Sequence, residues 1–205
     1  DMTIPPIHRY VKYDLMRISY DVGADEWGAP ELVLSSQETK LSILLPRISP
    51  DGRFLLFCMC SHGCFPVYQP SSDLYMMDLS SGEYTKLDIN SEFSESWHSW
   101  SSNGRWIAFS SKRLSHVFTR TYLAYLDDQG RVHKPIVLPQ KDPLHYDSCL
   151  WTFSVPELVT EPVRVSRRAL AKAVRDTRAG AVRMPVTMAT PKADTGRMYA
   201  EPLRE

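Results

Sequence analysis

The chain has 205 residues, 43% of them hydrophobic, enough to bury a good core in one or two domains. Basic and acidic residues balance at 24 each, so no global field favours nucleic acid or an anionic membrane. No apolar run reaches the roughly 18 residues of a membrane span, and no signal peptide opens the chain.

Residues 1 to 9 read as an extended, proline-stiffened lead-in. Tyr10 to Tyr20 is expected as a strand, Val22 to Pro30 as a glycine-containing loop, and Glu31 to Leu34 as the start of another strand. The chain is organised around Arg47 to Phe57, where Pro50-Asp51-Gly52 separates the apolar runs Ser42 to Leu45 and Phe54 to Phe57. Proline presets φ at the first central turn position and glycine accepts a positive φ, so the stretch reads as a β-hairpin. Its second strand runs on through Cys58 and Cys60, and Gly63 to Ser72 then forms a long loop at one rim. A second kind of hairpin follows, Leu74 to Asp78 and Tyr84 to Leu87 around the turn Leu79 to Glu83.

Both hairpins return. Asp51-Gly52-Arg53 aligns with Asn103-Gly104-Arg105 at a period of about 50 residues. The second kind reappears as Tyr122 to Leu126, the turn Asp127 to Gly130 and Val132 to Leu138, with an offset of 49 from Asp78 to Asp127. Two hairpins alternating on one period make four strands per unit. The expected fold is therefore all-β, built of four-stranded β-propeller blades. Two blades are complete and residues 10 to 45 hold part of a third. Because a propeller normally has at least four blades, the chain is expected to be the C-terminal part of one whose other blades lie on another polypeptide or were removed. A start at Asp1 without methionine fits a processed or incomplete product.

After Pro156 the character changes. Ser166 suits a helix N-cap, Arg167 to Arg178 holds good helix formers, and Gly180 can end the helix. Leu170, Ala173 and Val174 make a narrow apolar stripe. Ala181 to Glu205 is broken by Pro185, Pro191 and Pro202 and reads as an extended arm. The expected division is residues 1–160 as blades and 161–205 as basic helix and arm. From Glu161 onward ten Lys/Arg stand against five Asp/Glu, leaving an acidic body ahead of a basic tail. Tyr199 is the only aromatic after Phe153, so Arg167, Arg168, Lys172 and Arg175 point to an acidic protein surface rather than nucleic acid.

Cys58, Cys60, His62 and Cys64 place four zinc-type ligands within seven residues, but on a straight strand they reach one ion only if residues 61–63 fold sharply back. The alternative is that Cys58 and Cys60 are small apolar fillers between blades. No CxxCH is present, so the chain carries no standard covalent haem of its own. A haem on a partner could still take His62, His98, His116, His145 or Met59. Ser96-Trp97-His98-Ser99-Trp100 sets two tryptophans around a histidine, with alternation placing Trp97 and Ser99 on one face and His98 and Trp100 on the other. His98 beside Ser99 is not a hydrolase triad, and no nucleophile elbow, Walker loop, HExxH or EF-hand spacing appears. Asp127, Asp128 and Asp142 read as turn residues rather than calcium ligands. Tyr68, Trp97, His98 and Trp100 are candidate partner-binding residues, and Trp97, Trp100, Trp106 and Tyr68 could stack on a glycan or peptide.

The repeat Ser-x-Asp/Asn-Gly-Arg-aromatic-apolar-apolar-Phe resembles that of TolB-type β-propellers. Gly63 to Tyr75, Ser96 to Ser102 and Val137 to Pro143 resemble TolB-like proteins of uncharacterised function from genomes rich in periplasmic c-type cytochromes. That resemblance spans roughly residues 40–168. It implies a propeller, a periplasmic or extracellular setting, and other protein subunits as partners. Those partners would be haem-bearing and would supply the remaining blades. The expected role is a non-catalytic interaction or scaffold subunit of an electron-transfer complex. Two alternatives stand beside it, a redox-enzyme subunit lending metal or haem ligands from the Cys58–Cys64 loop, and a glycan- or peptide-binding propeller.

Overall fold

The computed structural model describes residues 9–176. The proline-stiffened lead-in, Gly180 and the arm from Ala181 fall outside the described residues. The chain forms two units, Asp1–Glu161 and Pro162–Glu205.

In the first unit the strands run β1 (Leu15–Arg17), β2 (Tyr20–Asp21), β3 (Glu26–Trp27) and β4 (Glu31–Leu34), followed by the one-turn helix α1 (Ser36–Thr39). Next come β5 (Ser42–Ile48), β6 (Phe54–Cys60), β7 (Asp73–Asp78) and β8 (Tyr84–Lys86), then β9 (Glu95–Trp100), β10 (Trp106–Ser111), β11 (Arg120–Tyr125) and β12 (Ile136–Val137). β5 to β8 make one four-stranded antiparallel sheet in chain order, and β9 to β12 make a second. These are the expected blades.

The repeated hairpin motif is explained bond by bond. The Ser49 hydroxyl donates to Asp51 Oδ1 at 2.6 Å and accepts from Phe54 N at 2.9 Å, while Arg53 N donates to the same Asp51 oxygen at 3.1 Å. Ser101, Asn103, Arg105 and Trp106 repeat the set at 2.7, 3.1 and 2.9 Å. Gly52 (φ 73°) and Gly104 (φ 68°) take the left-handed position that closes each turn. Serine and Asp/Asn are therefore fixed by the backbone groups they satisfy, as in other side-chain-supported turns.

Each sheet also carries a bulge at one repeat position. The β5–β6 register shifts between Leu44 and Arg47, and the β9–β10 register shifts between Ala108 and Ser110. Leu45 (φ 56°) and Trp97 (φ 46°) sit left-handed there, a strained conformation for a side chain with a Cβ.

The two sheets pack face to face through Leu44, Leu56, Cys58, Cys60 and Leu74 on one side and Ile107, Phe109, Tyr122 and Ala124 on the other. Continuous burial along β6 follows, since its other face (Leu55, Phe57, Met59) packs with Met77 against Leu15 and Leu34. A strand covered on both faces reads as an unbroken apolar run.

Tyr10 to Tyr20 is not one strand. β1 pairs antiparallel with β4, and the small hairpin β2–β3 is inserted between them. Repeat geometry assigns these two strands. Ile43 N donates to Tyr13 O at 3.0 Å just as Glu95 N donates to Ser72 O at 2.8 Å, so Asp14-Leu15 stands where Asp73-Leu74 stands in the next sheet. β1 and β4 are thus the third and fourth strands of a blade.

Residues 149–160 form an irregular strap across the outer face of the second sheet. Thr119 Oγ1 donates to Phe153 O at 2.5 Å, Phe153 N donates to Thr119 O at 3.1 Å, and the Ser99 hydroxyl donates to Pro156 O at 2.7 Å. Arg120, 1% exposed, donates from Nη2 to Cys149 O at 2.6 Å and from Nη1 to Trp151 O. Its guanidinium also lies 5.3 Å from the Tyr146 ring and 5.4 Å from the Phe118 ring. A buried cation whose partners among the described residues are carbonyls and aromatic faces works as a clamp on the strap. Arg120→Met strips two strap carbonyls of their donor. We expect a loss of about 2–3 kcal/mol in urea unfolding, with new chymotryptic cleavage after the exposed Trp151. Unchanged stability and no new cleavage would remove Arg120 from this role.

In the second unit, α2 spans Arg167–Arg175, with Ser166 Oγ accepting from Ala169 N as expected of the cap. Arg168, Lys172 and Arg175 share one face along a shallow cleft, while Leu170 and Val174 are exposed.

Candidate protein-interaction rim

Strand direction sorts the connections onto two rims. Tight turns at 49–53, 79–83, 101–105 and 127–131 gather at one rim. The long loops 61–72, 87–94 and 112–119, together with residues 9–14, gather at the other. The loop rim is where built structure and exposed apolar side chains coincide.

The loop 61–72 is pinned from inside. Gln69, buried, accepts from His62 N at 3.2 Å through Oε1 and donates from Nε2 to His62 O at 3.0 Å and Cys64 O at 2.9 Å. The Ser61 and Ser71 hydroxyls close the loop base at 2.7 Å. Gly63 N donates to Val11 O at 2.7 Å, and a Cβ at Gly63 would come within 2.8 Å of the Tyr13 ring. Cys64 (φ 72°) and Phe65 (φ 44°) are consecutive left-handed non-glycine residues. Such strain persists only where surrounding bonds over-determine the backbone.

This rigid loop presents Phe65 at 62% exposure and Tyr68 at 71%. Their rings meet edge-on at 6.2 Å, and Lys112 Nζ sits 4.9 Å over the Tyr68 ring. Tyr10, Leu114 and Val117 add exposed apolar surface on the same rim. Large exposed aromatics on an ordered frame are what interface anchors are made of.

Beneath the rim lies a buried ionic cluster. Glu95, 0% exposed, accepts through Oε1 from the Ser91 and Ser111 hydroxyls at 2.7 Å each and from Arg113 Nη2 at 2.8 Å, and through Oε2 from Ser91 N at 3.1 Å. Arg113 donates further to Ile89 O at 2.7 Å and lies 4.8 Å from the Tyr122 ring. One carboxylate therefore ties loops 87–94 and 112–119 to the sheet.

Other sequence candidates are scattered. Cys58 and Cys60 point from β6 into the core, their thiols donating to Leu44 O and His62 O. Burial pushes the Cys58 thiol well up, and burial also raises Cys60 to about 11. Cys64 is exposed on the loop, away from that core face. Among the described residues no three His, Cys, Asp or Glu side chains are placed to hold a metal ion. An extended strand explains this, since it spaces its ligands along the core rather than converging them. His116 is stacked on Phe93 at 4.1 Å, His145 meets Tyr146 edge-on, and Met59 is core.

His98 is buried, and its Nε2 donates to Leu56 O at 3.0 Å. The Trp100 indole donates to Arg47 O at 3.0 Å. Both face the first sheet, as alternation predicts, but the bulge at Trp97 interrupts the pattern ahead of them. Trp100 and Trp106 flank a tight turn, at the end of the sheet opposite Tyr68, so the four aromatics proposed for a glycan share no mouth. Phe65 was not among the sequence candidates. Its signal was an aromatic inside a loop with no core position to fill.

No protein-family model and no curated protein sequence matches the chain. Among solved structures it is similar to the Dos1 propeller, at 18% identity over 61% of this chain and 31% of that one, with a TM-score of 0.42. It is also similar to the β-propeller domain of the Trilobed protease from Pyrococcus furiosus, at 16% identity over 62% and 39% of the two chains, with a TM-score of 0.32. The chain spans less than half the length of either. Blade assignment rests on the strand order, the registers and the repeated turn bonds described above. No helix among the described residues is long and apolar enough to cross a membrane.

Proposed function

We propose that this chain is a non-catalytic interaction module that docks a protein partner on its loop rim, with Phe65 and Tyr68 as anchors. The observation that carries this reading is the pinned, strained loop 61–72 holding both aromatics in solvent. Pre-ordering reduces the entropy lost when such side chains are immobilised in a complex. A periplasmic assembly with electron-transfer subunits is the host class we assign to it. That assignment is supported by the sequence resemblance of Gly63 to Tyr75, Ser96 to Ser102 and Val137 to Pro143. Fold alone does not fix a host.

The test is quantitative affinity purification with Phe65→Ala/Tyr68→Ala beside the wild type. Both side chains are exposed, so thermal stability is expected to stay within about 0.5 kcal/mol. Loss of two central aromatic anchors is expected to weaken the partner at least tenfold. Undiminished binding of the same partner would overturn the rim assignment.

A further inference from the structure

We infer that residues 153–158 stand in the first-strand place of the blade array, as the inner strand that follows the second sheet, and that the connection 138–152 therefore lies on the loop rim. The strand place is independent of the loop-rim reading, whereas the use of residues 138–152 in docking rests on it.

Backbone bonds, backbone conformation and spelling agree. The first strand of each sheet is entered through a backbone bond to a residue just ahead of the third strand of the sheet before it. Ile43 N donates to Tyr13 O at 3.0 Å and Glu95 N to Ser72 O at 2.8 Å, and in the strap Phe153 N donates to Thr119 O at 3.1 Å. A hydroxyl seals the last two junctions alike, since Ser72 Oγ donates to Glu95 O at 2.7 Å and Thr119 Oγ1 to Phe153 O at 2.5 Å. Two residues beyond each junction the backbone turns left-handed, at Leu45 (φ 56°), Trp97 (φ 46°) and Val155 (φ 52°). A β-branched residue is an outlier in that region, and its place at the same step of the repeat marks Val155 as the counterpart of the two bulge residues. Val155-Pro156-Glu157-Leu158 also matches Leu45-Pro46-Arg47-Ile48 in kind at three of four positions.

The strap looks irregular because a first strand takes its ladder from the second strand of its own sheet. β5 is paired by β6 and β9 by β10, and among the described residues no strand lies beside residues 153–158 in that way. Contact between successive first strands is present nonetheless. Trp100 Nε1 donates to Arg47 O at 3.0 Å, and the Ser99 hydroxyl donates to Pro156 O at 2.7 Å. The segment is thus placed by the sheet before it, without a ladder of its own.

Strand direction then places the connection. β12 ends at the loop rim and residue 153 starts there, so residues 138–152 take the position of 87–94 one sheet further on. They bring Leu144, Leu150 and Trp151, at 67%, 74% and 67% exposure, to the rim that carries Phe65 and Tyr68. Leu150 and Trp151 line a cleft of about 550 Å³ with His145 and Phe153. The exposed apolar surface of the rim is enlarged accordingly.

Hydrogen–deuterium exchange at the residue-153 amide of the full-length chain tests the strand place. One variant receives the spelling of β5 (Phe153→Ile, Ser154→Leu, Val155→Leu, Glu157→Arg and Leu158→Ile), with proline already shared. A first-strand place accepts a first-strand sequence, so exchange is expected to stay within about threefold of the wild type. Val155→Gly, which takes a positive φ without strain, should also leave it slow. Val155→Pro, whose ring forbids that φ, is expected to speed it by about tenfold or more. Acceleration in the β5 variant as large as that in Val155→Pro overturns the inference, because the strap would then be held by its particular side chains. Unchanged exchange in Val155→Pro also overturns it, because the left-handed step would then play no part in docking the segment.

Discussion

Replacing Glu95 by alanine is expected to be the most damaging single substitution considered, costing roughly 3–5 kcal/mol of unfolding free energy. The carboxylate is fully buried and accepts four hydrogen bonds, and its removal leaves Arg113 largely buried without its counter-ion. Ser91 and Ser111 lose their partner in the same stroke, so unsatisfied donors add to the uncompensated charge. Glu95→Gln keeps an acceptor oxygen and should lose clearly less than alanine. Because the cluster anchors loops 87–94 and 112–119, amide exchange in both loops should rise with the loss of stability. Urea unfolding of the two variants checks this, and a loss below about 1 kcal/mol for Glu95→Ala would show that the cluster is dispensable.

Acid is expected to destabilise the protein below pH 6.5 through His98. Burial pushes the imidazole down to about 4 from 6.5, with Arg47 adding to the shift and the Leu56 and Leu45 carbonyls opposing it. Nε2 donates to a carbonyl, so the neutral ring carries its proton there. In the unfolded chain the ring takes up a proton near 6.5, while in the folded chain it resists until about 4. Stability is therefore fully present above pH 6.5, falls as pH drops through the window, and levels near 4. The span corresponds to about 3 kcal/mol.

Asp14, Asp51, Asp78 and Asp127 are each held below the usual carboxylate value by hydrogen-bond donors from serine, histidine or backbone N–H groups. Their contribution is present above an unfolded value of 3.8 and is lost only as pH falls below it, so the two windows scarcely overlap. Equilibrium unfolding between pH 7.5 and 4 checks the prediction. His98→Gln should be less stable at pH 7.5 and nearly flat across the window, whereas an unaltered slope would mean that another group titrates there.

The blade repeat was legible because its determinants are local. Ser49, Asp51 and Gly52 satisfy one another's backbone within six residues, and Ser101, Asn103 and Gly104 do so again, so the motif survives as spelling. The bulges at Leu45 and Trp97 were not legible, because a bulge belongs to a pair of strands and neither residue type announces it. Reading Tyr10 to Tyr20 as one strand failed for a related reason. The alternation of Val11, Tyr13 and Leu15 changes parity before Ile18 and Tyr20, and the pairing of β1 with β4 and of β2 with β3 shows that two separate strands lie either side of that change.

The strap was hidden by its chemistry. Ser99, Ser110 and Thr119 each donate to a carbonyl of the strap, and a hydroxyl residue on a strand gives no sign in the sequence of such a distant partner. Glu95 and Arg120 were not singled out in the sequence, because their burial depends on partners distant in the chain. Repeat alignment did hold one clue, since Glu95 stands at the position of the apolar Ile43. Tyr68 was named as an aromatic that could stack on a partner, and Phe65, in the same loop, carries the same signal.

The central claim is that the loop rim is the docking surface, and one measurement addresses it directly. A photo-crosslinking amino acid is placed at Tyr68 on the loop rim, and in a second variant at Glu83 on the turn rim, in cells that make the full-length chain. Crosslinked adducts are then identified by mass spectrometry. A single protein captured from position 68 and absent from position 83 is the predicted result. The same adducts from both positions, or from position 83 alone, would contradict the account.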